Sequence, residues 1–85
     1  MLSVDSRPDF LKKIGKIKDK GLKERVKKQV AKIISSPQIG KPMKYSRKGT
    51  RELYVQPFRI SYAYIENEEK IVFLNLYHKD EQLID

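Results

Sequence analysis

Four cations crowd into one short stretch, Lys44, Arg47, Lys48 and Arg51, with Gly49 among them. Such a cluster can grip a phosphodiester backbone, because each phosphate it neutralises releases condensed counterions, with a salt slope of about −0.7 per contact for a single strand. The plain alternative is a solvated loop in a lysine-rich chain. Arg59 lies within Pro57-Phe58-Arg59-Ile60-Ser61-Tyr62, among aromatic and branched residues. A guanidinium there is costly unless it reaches a surface or a partner. Its planar fork suits two-point contact with a phosphate, and the alternative is a structural ion pair with Glu52. The third group is Tyr77-His78-Lys79-Asp80. His78 belongs to the side-chain type whose charge changes near neutrality and which serves in proton transfer. Lys79 beside it could neutralise a pentavalent phosphate. Metal-independent RNA cleavage needs a base for the 2′-hydroxyl, an acid for the leaving oxygen and cations for the phosphorane. His78, Arg59, Lys79 and the basic loop supply groups of those kinds. The alternative for His78 is a lone surface histidine at a strand end. Tyr54 and Tyr77 flank these groups and are the tyrosines placed to stack on bases. Tyr45, Tyr62 and Tyr64 are further candidates, and half or more of the five tyrosines are expected in ordinary core and cross-strand packing.

The charge balance points the same way. The formal net charge is +8 and the sequence pI is about 9.8, which makes an acidic partner, nucleic acid first, the leading expectation. The charge is uneven. Residues 1–48 hold 15 Lys/Arg and 4 Asp/Glu, a net of +11, whereas residues 49–85 hold 4 and 7, a net of −3. The basic field thus belongs to the first half and its junction with the second. There is no cysteine and a single histidine, so no disulfide framework or His/Cys metal cluster is available, and no cofactor or metal is expected. At 85 residues the chain is expected to form a single domain over 1–85. No apolar run approaches the length of a membrane span, so no membrane partner is expected. Residues 1–5 lack the basic start and apolar centre of a signal peptide. The expected location is cytoplasmic.

The elements that must position these groups follow from periodicity. Leu2-Ser3-Val4 alternates as a short strand. Ser6 and Asp9 have capping-box spacing, with Pro8 in the first turn, and Phe10, Leu11, Ile14 and Ile17 form an apolar stripe. A helix is predicted over 7–18. Gly21 marks a turn. Leu22, Val26, Val30, Ile33 and Ile34 then predict a second helix over 22–35, ended by Pro37 and Gly40 and packed as an antiparallel hairpin on the first. After Gly49 the period becomes two. Strands are predicted over 52–56, 58–65 and 71–77, with a bend at Pro57 and a polar turn at 66–69. The closing residues 78–85 are polar and read as a short turn or fraying end. The predicted class is α+β, in the order β-α-α-β-β-β, with the helical hairpin on one face of a C-terminal, mostly antiparallel three-strand meander.

The chain resembles the RelE/ParE toxin superfamily over nearly its whole length. The resemblance rests on Ile34-Ser35-Ser36-Pro37 closing the hairpin, on Gly49-Thr50-Arg51-Glu52-Leu53-Tyr54-Val55, on Pro57-Phe58-Arg59-Ile60-Ser61-Tyr62, and on Leu76-Tyr77-His78-Lys79-Asp80-Glu81. It implies a ribosome-dependent endoribonuclease that cuts mRNA by 2′-hydroxyl transesterification, a RelB-like antitoxin as partner, and contact with operator DNA only through the antitoxin complex. It also implies that Arg59 is the phosphate-stabilising arginine and that Lys79 lies in the functional segment after the last strand. The chain departs from RelE toxins at Glu52 and Tyr54, where they carry basic residues. It also departs at Gln82, near the position of a further arginine, and in having no tyrosine after Tyr77. Two alternatives stand beside this reading: a ParE-type toxin that inhibits DNA gyrase without nuclease activity, and an RNA-binding module without toxicity.

Overall fold

The computed structural model describes residues 2–81. Its elements are β1 (Ser3–Ser6), α1 (Pro8–Gly15), α2 (Lys20–Ser35), β2 (Lys41–Pro42), β3 (Thr50–Val55), β4 (Phe58–Ile65) and β5 (Lys70–His78). They build one five-stranded sheet in the order β1-β5-β4-β3-β2. Strands β2 to β5 pair antiparallel, and β1 lies parallel to β5, Ser3 opposite Lys70. This is the predicted α+β architecture with one strand more. Lys41–Pro42 carries no periodic signal because two residues cannot show one, and proline is tolerated there only because the strand is an edge.

The helix ends differ from prediction for local reasons. Ser6 belongs to β1, and the residue capping α1 is Arg7, whose side chain makes no cap bond. The Arg7 N–H instead donates to the Phe73 carbonyl at 2.8 Å, which hooks the turn onto β5. Helix α1 stops at Gly15, where the Lys16 and Ile17 N–H groups bond three residues back, to Lys13 and Ile14, and tighten the last turn. The connection is completed by Asp19, whose carboxylate accepts the Leu22 N–H at 3.1 Å. Gly21 therefore sits inside the first turn of α2 and does not make the bend.

One sheet face carries the core. Phe10, Val26 and Ile33 come down from the helices onto Val55, Ile60, Tyr62, Ile71, Phe73 and Leu76. Phe73 is central, with its ring stacked on Phe10 at 5.0 Å and tilted against Tyr62 at 6.2 Å. The register of β5 shifts between Ser61 and Tyr62, whose partners are Asn75 and Phe73. Leu74 is thus an extra residue, a β-bulge, and it inverts the alternation of the rest of the strand. Before it, Ile71 and Phe73 face the helices. After it, Leu76 and His78 do so, and Asn75 and Tyr77 point to the open face.

The segment leaving α2 is pinned to the sheet by Tyr62. Its hydroxyl donates to the Pro37 carbonyl at 2.7 Å and accepts the Gly40 N–H at 2.8 Å. A Cβ on Gly40 would come within 2.6 Å of that hydroxyl, so only glycine permits the approach. Arg51 adds two bonds, to the carbonyls of Gln38 and Gly40 at 3.0 and 2.8 Å. These contacts fix where β2 and the basic loop emerge.

Candidate active site

The helix-free face of β3, β4 and β5 gathers Glu52, Tyr54, Arg59 and Tyr77 through the register pairs Tyr54–Arg59 and Arg59–Tyr77. A cleft of about 480 Å³ opens there, lined among others by Lys41, Arg47, Glu52, Tyr54, Arg59 and Lys79. Four cations face one carboxylate, a formal charge of +3 for these lining groups.

Glu52 is the hub. Its side chain is only 6% exposed. One carboxylate oxygen, Oε2, accepts hydrogen bonds from the Arg47 guanidinium and the Tyr77 hydroxyl. The other, Oε1, lies 3.6 Å from Arg59. Arg47 also approaches the Tyr77 hydroxyl at 3.5 Å, with its guanidinium carbon 6.0 Å from the ring centre. Partial burial works against the Arg47 charge, but the bonds and fields of Glu52 and Tyr77 outweigh it and push its pKa up. Burial pushes the Tyr77 phenol up as well. The Glu52 carboxylate adds to that effect and Arg47 opposes it. Tyr77 therefore stays a neutral donor. Among the described residues no buried side-chain polar atom lacks a partner.

The sequence candidates divide between the two faces. Arg47, Tyr54, Arg59 and Lys79 line the cleft. Lys79 is held there because its N–H donates to the Pro57 carbonyl at 2.9 Å, tying the end of β5 to the β3–β4 turn. Tyr77 is only 3% exposed, so its ring is closed to a stacking base and its hydroxyl serves Glu52 instead. Arg51 sits opposite Tyr62 on the helix face and is spent on the carbonyls of 38 and 40. Lys44 and Lys48 are exposed at either end of a 3-10 turn over Tyr45–Arg47, outside the cleft lining. Tyr45, one of the five candidate stacking tyrosines, is 83% exposed.

His78 is not brought to Arg59. The bulge turns it to the helix face, opposite Phe58, with the rings edge to face at 5.6 Å. Its Nδ1 accepts the Asp80 N–H at 3.1 Å and lies 3.5 Å from the Asp80 carboxylate. Lys41 is the cleft cation that sequence reasoning missed. Its one signal, a lysine directly after Gly40, gains meaning only when β2 pairs and sets it opposite Glu52. Residues 82–85, Gln82 among them, lie outside the described residues. Among the described residues no group of His, Cys, Asp and Glu could hold a metal ion, and no helix is long and apolar enough to cross a membrane.

The family model described as the ParE toxin of type II toxin–antitoxin systems (parDE) matches residues 4–83. The chain belongs to the ParE toxin family. The toxin's fold is that of the RelE/ParE superfamily. It aligns with the intact RelBE toxin–antitoxin complex of E. coli at TM-score 0.77 and 18% identity, covering 96% of this chain and 100% of that one. The RelBE2 complex of Mycobacterium tuberculosis gives 0.76 and 19%, with 92% and 98% covered. The YoeB/ParE toxin of Agrobacterium tumefaciens gives 0.78 and 11%, with 91% and 98% covered. A search of the curated proteins finds no match.

Burial raises the pKa of both Tyr62 and Tyr77 above the ordinary tyrosine value. A group whose folded pKa lies above its unfolded one contributes stability that is whole below the unfolded pKa and is lost as pH climbs through the folded one. The toxin's urea midpoint should therefore hold steady to about pH 9 and fall from about pH 10 upward, where free tyrosine ionises. Midpoints measured on the toxin and on the Tyr62→Phe, Tyr77→Phe double variant check this. The variant's alkaline fall should be the shallower.

Proposed function

We propose that this toxin is a metal-independent endoribonuclease that cuts ribosome-bound mRNA by 2′-hydroxyl transesterification. The observation that carries the reading is the convergence of Lys41, Arg47, Arg59 and Lys79 on one cleft, with Tyr54 at its rim. Arg59 and Lys79 hold the non-bridging oxygens of the scissile phosphate as negative charge grows on them, which is where preorganised donors contribute most. Tyr54, 46% exposed, offers a ring to a neighbouring base. The reading rests on these cations and not on His78, which faces the other way.

The toxin acts in the cytoplasm and is neutralised by a RelB-like antitoxin, through which alone it reaches operator DNA. Two of the solved relatives are themselves toxin–antitoxin complexes. A second, apolar groove of about 300 Å³ lies between the helices and β1, floored by Phe10, Val26 and Phe73 and edged by Lys23 and Lys27. It suits an amphipathic antitoxin segment with an acidic flank.

The matched family is the observation that favours a second reading, a gyrase inhibitor without nuclease activity. Induced expression followed by primer extension of cellular mRNA separates the two. Codon-periodic cuts on translated messages are the expected result. Intact messages with DNA-damage signalling would replace the first reading with the second.

A further inference from the structure

The cleft holds its own anion. Glu52 is a buried carboxylate approached by Arg47, Tyr77 and Arg59 together. Two guanidinium groups on one carboxylate are one cation more than its charge requires. The three contacts are also unequal. Arg47 and Tyr77 both bond Oε2, and the Arg47 side chain is 20% exposed. Arg59 stands at 3.6 Å from Oε1, with its side chain 41% exposed on the cleft wall. Its attachment is mainly Coulombic, and its fork keeps N–H groups for another acceptor.

We propose that Glu52 occupies the anion seat of the free toxin, and that an incoming phosphodiester group binds by drawing Arg59, and then part of the Arg47 fork, away from it. A carboxylate and a phosphate present the same paired oxygens to a guanidinium, so one can stand in for the other. Glu52 is in this sense a positioning residue. It keeps two cations and a phenol converged on the cleft while no substrate is present, and it weakens the grip on any short anion that cannot compete for both arginines. A phosphodiester chain engages Lys41 and Lys79 in the same cleft as well, so it can compete where a single phosphate competes poorly. The inference rests on the cleft being a phosphodiester site.

The test uses inorganic phosphate as probe, with the arginine Nε–Hε resonances of the labelled, full-length toxin as readout. In the unaltered toxin, phosphate should shift the Arg59 signal most and Arg47 next, saturably. Glu52→Gln should bind phosphate about tenfold more tightly or better, the scale of one like charge at contact distance in a half-exposed cleft. Asp5→Asn is the control of equal charge change. Asp5 lies on β1 at the far edge of the sheet, paired with Lys70 at 3.7 Å, and its variant should match the unaltered toxin. The proposal is overturned if a saturating non-cleavable 2′-O-methyl RNA leaves both arginine signals of the unaltered toxin in place, a result that needs no variant to fold. It is equally overturned if folded Glu52→Gln binds phosphate no better than Asp5→Asn. Cut messages together with either of these results would sink this inference alone. Responsive arginines together with intact messages would sink the nuclease reading alone.

Discussion

Replacing Arg59 with alanine should abolish growth arrest by the induced toxin and lower its RNA cleavage by about 10²- to 10³-fold, the usual loss when one preorganised donor to a developing oxyanion is removed. The fold should survive. Arg59 is partly exposed, its side chain pairs with Glu52 across 3.6 Å, and Arg47 and Tyr77 still satisfy that carboxylate. Its backbone pairs with Tyr54 and Tyr77 do not depend on the side chain. Growth assays on matched expression levels, with circular dichroism of the purified variant, check both halves. A folded Arg59→Ala toxin that still arrests growth would move the site away from this cleft.

Replacing Phe73 with alanine should cost about 3–5 kcal/mol. A chain of this size has a total of roughly 5–10 kcal/mol to lose. Phe73 is 1% exposed and sits between Phe10 of α1 and Tyr62 of β4, so its removal opens a void between helix and sheet. Tyr62 cannot fold inward to fill it, because it is held by its two hydroxyl bonds. Leu11→Ala is the internal comparison. Leu11 is 57% exposed on the same helix, and its loss should stay within about 0.5 kcal/mol. Urea midpoints for the pair measure the difference, and a loss below about 1.5 kcal/mol at Phe73 would mean that this aromatic contact does not organise the core.

The architecture was legible because its signals are periodic. The helical stripe of Val26, Val30 and Ile33 and the alternation through Phe58 to Ile65 each need one kind of neighbour to be buried. The site was half legible. Arg59 stood out because an arginine in an aromatic strand requires a reason, and the ion pair with Glu52 and the cleft both turned out to be present. Where the cations converge was not legible, since that depends on backbone hydrogen bonds. Arg51 faces the helices by register, and Lys41 reaches the cleft only through β2. His78 misled for a sharper reason. The run Ile71 to Tyr77 is almost entirely apolar, so nothing in its residue types marks Leu74 as extra, and the parity of every later side chain hangs on that one residue.

The parallel pairing of β1 with β5 has a consequence for the order of assembly. Ser3 finds its partner at Lys70, across most of the chain, whereas each antiparallel pair closes over a short turn. During synthesis β1 emerges first and waits for the strand made last. That same strand carries Tyr77 and leads into Lys79, so the sheet edge and the cleft are completed together, only once β5 has left the ribosome. On the proposed reading of the cleft a nascent toxin is therefore unarmed, and contact between such distant segments makes sheet closure the slow part of folding. For a protein that harms the cell making it, that delay leaves an interval in which a partner can meet the chain before its cleft exists.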